Sequence, residues 1–100
     1  MTNINVVYMD DPEPKFRLGR LVITKAAEAK LTPMDVSVAL LRHVRGDWGD
    51  VSESDREENE LSLTHGSRLL SVYHGKNGTK FWIITEADRR VTTVLLPEDY

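Results

Sequence analysis

The chain has 100 residues, 40% of them hydrophobic, with 16 acidic and 13 basic side chains, a formal charge of −3 at pH 7 and no cysteine. That is the size and polarity of one globular domain, too apolar for a wholly disordered chain and too acidic for a strongly basic nucleic-acid coat. Disulfides, thiolate nucleophiles and cysteine zinc sites are excluded. No stretch reaches the roughly 18 apolar residues of a membrane span, and the start lacks a signal peptide's basic-then-apolar order, so a soluble cytoplasmic domain is expected.

Residues 1–15 read as an arm and linker: Ile4 to Met9 suits a short strand, and Asp10-Asp11-Pro12-Glu13-Pro14 is stiff and acidic. Phe16 to Ile23 reads as a strand covered on both sides, because Leu21-Val22-Ile23 is a continuous apolar run. Thr24 caps a short helix over Lys25–Lys30. Thr32-Pro33-Met34-Asp35 opens a second helix, with a favoured N-cap, proline in the first turn and an acid near the positive end of the dipole. Val36, Leu40 and Val44 continue it at helical spacing, and Gly46 stops it.

Gly46-Asp47-Trp48-Gly49-Asp50 is a loop with Trp48 as an aromatic anchor. A third helix runs from Ser52 or Ser54 to His65, with capping-box spacing between Ser54 and Glu57 and a stop at Gly66. Its apolar face is thin, so it belongs on the rim of the core. Arg68–His74, Thr79–Thr85 and Val91–Leu96 read as strands, the first two joined by the Asn77-Gly78 hairpin signal. The expected architecture is an α+β, two-layer domain over residues 16–97, in which an N-terminal strand and two or three helices pack on a C-terminal antiparallel meander. Residues 98–100 form an acidic tail.

The charge is uneven. Residues 47–60 carry seven acids against the single Arg56. A solvated acidic helix follows, with Glu57 and Glu58 on it, while the remainder of the chain is mildly positive. Alternation also leaves neither face of the meander wholly polar. Either Trp82 and Ile84, or Phe81 and Ile83, must lie away from the helices, capped by the N-terminal segment or open to a partner. An exposed edge strand, Val91–Leu96 or Phe16–Ile23, invites a homodimer by strand pairing.

No phosphate loop, dinucleotide fingerprint, zinc helix or nucleophile elbow is present. His43, His65 and His74 are too dispersed to read as a metal site, and neither a metal nor a cofactor is expected. Two readings of function remain. The first is a non-enzymatic interaction protein whose binding residues are Trp48, Trp82, Arg89, Arg90, Glu57 and Glu58. The second is a metal-independent ribonuclease, with His43 or His74 as acid or base and Arg68 and Lys80 on the phosphate. A protein partner is favoured, nucleic acid is disfavoured by net charge, and no membrane is implicated.

The runs FRLGRLVIT, HVRGDWGDV, NELSL, RLLSVY and KFWIITEADRRVTTVLLPEDY resemble short bacterial proteins labelled hypothetical or plasmid-related, some of them labelled as a type I restriction subunit. The resemblance spans residues 16–100, is most specific over Trp82–Arg89, and implies a mobile-element or host-interacting context. Helices followed by a meander also look like the RelE-type small ribonucleases of toxin and phage proteins. That likeness implies a site near Arg68, His74, Lys80 and Arg89, although such enzymes tend to be basic.

Overall fold

Thr24 and Thr32 start the first two helices as their surroundings predict. In a computed structural model, which describes residues 13–100, Thr24 accepts a hydrogen bond from the Ala27 amide at the start of α1 (Lys25–Lys30). Thr32 and Asp35 form a reciprocal capping box at the start of α2 (Pro33–Val44). Each such cap is worth about 1 kcal/mol. The third helix, α3 (Glu53–His65), is capped by Ser52 on the Asp55 amide rather than by Ser54. The strand read at Ile4–Met9 lies outside the described residues.

The sheet contains β1 (Arg20–Ile23), β2 (Leu69–His74), β3 (Lys80–Thr85) and β4 (Val91–Leu95), in the order β1-β4-β3-β2. The α+β class follows. β2, β3 and β4 form the antiparallel meander, but β1 adds to β4 in parallel, so the sheet is mixed. Val91–Leu95 is therefore an inner strand and not the free edge that its position near the end of the sequence suggests.

The first strand is also shorter than its apolar run implies. Gly19 has φ +67°, and a Cβ there would overlap the carbonyl of Arg90. The chain turns at this glycine, and residues 16–18 go beneath the sheet instead of along it: Phe16 stacks on Trp48 with centroids 6.1 Å apart. Past the turn, β1 is an edge strand exposing Leu21 and Val22, not one covered on both sides.

The register puts Tyr73, Phe81, Ile83 and Val94 on the face that packs against Ala27, Leu31 and Ala39 of the α1–α2 layer. Each fully buried large side chain there contributes roughly 1.5–3 kcal/mol. Trp82 and Ile84 take the opposite face, which settles the alternative left open by alternation. Whether the N-terminal segment caps that face lies outside the described residues.

Candidate interaction surface

His43 sits on the inner side of α2, and its ring is wholly enclosed. Nδ1 lies 2.6 Å from the Ser71 hydroxyl and Nε2 lies 2.8 Å from that of Thr85. Thr85 is 2.7 Å from Thr92, and Thr92 donates to the Leu18 carbonyl at 2.6 Å. Because the last hydroxyl must donate to a carbonyl, the polarity of the chain is fixed. Thr85 donates to Thr92, and the His43 Nε2–H donates to Thr85. Burial, helped by the Arg89 charge, pushes the ring's pKa down to about 3, so the ring is neutral and its Nδ1 accepts from the Ser71 hydroxyl. The sequence reading of His43 as a general acid or base is corrected on this ground: enclosed among hydroxyls, it reaches neither solvent nor a substrate.

The other residues of the ribonuclease reading do not converge. His74 and Lys80 are cross-strand neighbours at one end of the β2–β3 pair, both exposed. Arg68 precedes the other end of β2, roughly 20 Å of strand away from His74. Arg89 faces inward: its guanidinium donates to the carbonyls of Ser67 at 2.6 Å, Ser62 at 2.8 Å, Glu86 at 3.1 Å and Ala87 at 3.3 Å. It clamps the end of α3 to the β3–β4 turn, where its own φ is +60°. Arg90 is exposed, its guanidinium 3.9 Å from Asp88.

Trp48 is likewise an interior residue and not a contact for a partner. It is fully buried, and its indole N–H donates to Glu60 at 2.8 Å. Asp47 pairs with Arg42 at 2.7 Å, which holds its carboxyl below the usual carboxylate range and raises the guanidinium in turn. Arg42 also lies over the Tyr73 ring, 4.7 Å from its centroid. Arg42 and Tyr73, with Asp35, His74 and Lys76, line a cleft of about 240 Å³ between α2 and the hairpin.

The remaining features form one continuous strip. Glu57 and Glu58 are exposed on α3. Glu58, Asp55 and Arg68 line a cleft of about 250 Å³ beside Leu70. Arg68 donates to the Tyr100 hydroxyl at 2.6 Å and lies over that ring, and Tyr100 meets Trp82 edge-on with centroids 5.7 Å apart. Trp82 is half-buried on the face away from α1 and α2, and its indole N–H is enclosed without an acceptor among the described residues. An orphaned donor of this kind costs about 1–3 kcal/mol. Sequence reasoning selected Trp82, Glu57 and Glu58; Tyr100, which links them through Arg68, it left in the tail.

Among the described residues no cluster of His, Asp or Glu has the arrangement of a metal site, and no helix is long and apolar enough to cross a membrane. No family model matches the chain, and searches of curated proteins and of solved structures each returned no match.

Proposed function

We propose that this chain is a small protein-binding module of the bacterial mobile-element type, acting in the cytoplasm, which engages a basic partner along the strip from the α3 acids through Arg68 and Tyr100 to Trp82. One observation carries this reading: the exposed acids Glu57 and Glu58, without a cationic partner among the described residues, share a strip that runs through Arg68 and Tyr100 to the half-buried Trp82 ring. A partner supplying cations to the helix and an apolar or aromatic surface to the exposed part of the Trp82 ring fits both ends. The separation of Arg68 from His74 and the sealing of His43 weigh against phosphodiester cleavage as the alternative.

Affinity capture followed by quantitative mass spectrometry, with wild type, Trp82→Ala and Glu57→Lys/Glu58→Lys, tests the reading. A partner enriched by the wild type and lost from both variants, with their circular dichroism unchanged, is the expected result. Equal recovery by all three, or cleavage of RNA by the purified chain, overturns it.

A further inference from the structure

The two edges of the sheet are treated differently. At the β2 edge, Asn59 occupies both backbone groups of Leu70, the Val72 amide donates to Trp48, and the Val72 carbonyl accepts from Asp50. β1 has no such cover among the described residues. Its inward ladder is marked by the Arg20 amide on Arg90 at 2.8 Å and the Thr24 amide on Val94 at 3.0 Å. By alternation, the N–H and C=O of Leu21 and Ile23 point away from the sheet. Beside them, Leu21 is 53% and Val22 38% exposed. Open, apolar edges of this kind are templates for another strand.

The edge is also complementary to itself. Consider a second copy running antiparallel about Val22. Leu21 then stands opposite Ile23 of that copy, and Ile23 opposite its Leu21, each pair exchanging both backbone hydrogen bonds. Val22 faces Val22. A register about Leu21 instead sets Gly19 against Ile23, and the positive φ of Gly19 removes it from any ladder. With the two-fold axis perpendicular to the sheet, Leu21 of each copy shares the helix-side face with Ile23 of the other. Ile23, Leu31, Pro33 and Val36 line an apolar cleft of about 330 Å³ on that side, and the neighbouring Leu21 enters it.

Charge agrees with this register. Arg20, which has no acidic partner among the described residues, stands opposite Thr24 of the second copy. Thr24 carries the Asp99 carboxylate on its hydroxyl at 2.7 Å. The two-fold repeats this contact, so cation meets anion at both ends of the paired strands.

We propose that two copies of this chain join along β1, antiparallel about Val22, into one continuous sheet twice the width of the single one. The contact is small beside the 1,200–2,000 Å² typical of stable interfaces, so a reversible dimer is expected. Sedimentation or light scattering then shows the mass rising from monomer to dimer between about 10 µM and 1 mM.

Leu21→Pro removes an outward N–H and leaves the β4 ladder intact, so it yields a monomer with unchanged far-ultraviolet circular dichroism. Val22→Cys places a thiol in the non-hydrogen-bonded pair on the axis, where the Cα atoms are about 4.5 Å apart, within disulfide range. In this cysteine-free chain, a mild thiol oxidant converts Val22→Cys to a covalent dimer faster than Leu21→Cys. A monomer at every concentration, a dimer indifferent to Leu21→Pro, an open-ended polymer, or equal cross-linking of the two cysteines overturns the proposal. None of these outcomes depends on the Trp82 strip.

Discussion

Asn59 behaves toward Leu70 as a neighbouring strand would: its Nδ2 donates to the Leu70 carbonyl at 2.7 Å, and its Oδ1 accepts the Leu70 amide at 3.0 Å. One side chain on a helix thus occupies both outward groups of a strand residue. The helix that carries it is otherwise weakly attached, because Leu61 is exposed and the residues α3 buries are Asn59 and Ser62. Polar contacts, joined by Trp48 to Glu60 and Arg89 to Ser62, hold α3 against the sheet edge.

Asn59→Ala therefore leaves the Leu70 amide and carbonyl unpaired at a part-buried strand edge. A loss of about 2–3 kcal/mol is expected, read as a lowered urea midpoint. Asn59→Asp keeps the acceptor but puts a carboxylate beside the Leu70 carbonyl, and should be no more stable than the alanine variant.

Stability should fall on mild acidification, because of His43. Its pKa in the folded chain is about 3, against an ordinary value of 6.5. The unfolded chain thus takes up the proton first, and protonation favours unfolding. The neutral ring's contribution is fully present above about pH 6.5 and is lost toward pH 3, at up to about 1.4 kcal/mol per pH unit. Urea titrations at pH 7.5, 6.0 and 5.0 measure the slope. His43→Gln, which does not titrate, should flatten it while lowering stability overall.

The two tryptophans should respond unequally to the same change. Trp48→Phe takes the donor from Glu60 and leaves a gap in the interior, costing about 2–3 kcal/mol. Trp82→Phe removes an indole N–H that has no acceptor among the described residues, so its lost packing is offset and the change stays within about 1 kcal/mol. Thermal or chemical unfolding of both variants decides the matter.

Arg89→Lys should not be conservative. An ammonium cannot span the carbonyls of Ser62, Ser67, Glu86 and Ala87 that the planar fork reaches together. A destabilisation of about 1–2 kcal/mol is expected, with faster amide exchange at the end of α3 as its local sign.

What was legible in the sequence was local. Thr24 and the Thr32-Pro33-Met34-Asp35 start announced two helices, and Asn77-Gly78 announced the hairpin, because caps and turns depend on residues within four of each other. The α+β order followed. The partner of β1 did not: parallel pairing leaves no local mark, and an apolar Leu-Val-Ile run reads alike on an edge or in the centre. His43 was legible in principle, since Val36, Leu40 and His43 share one helical face, but its residue type drew attention to acid–base chemistry. Asn59 and Ser62 gave no sign, as polar residues on a charged helix look solvated. The link from Glu58 to Trp82 through Arg68 and Tyr100 depends on the chain end folding back, which no spacing encodes.

The parallel seating of β1 on β4 also bears on how the chain reaches this state. The Thr92 hydroxyl meets the Leu18 carbonyl across 74 residues of sequence, a long loop to close, whereas the β2–β3 hairpin closes over a few. The hairpin and β4 should form the folding nucleus, with β1 arriving after the rate-limiting step. Substitutions at Leu21 or Val22 would then accelerate unfolding and leave the folding rate nearly unchanged, while those at Phe81 or Ile83 slow folding itself. The strand that is open to a second copy is by this reasoning the last to settle and the first to leave.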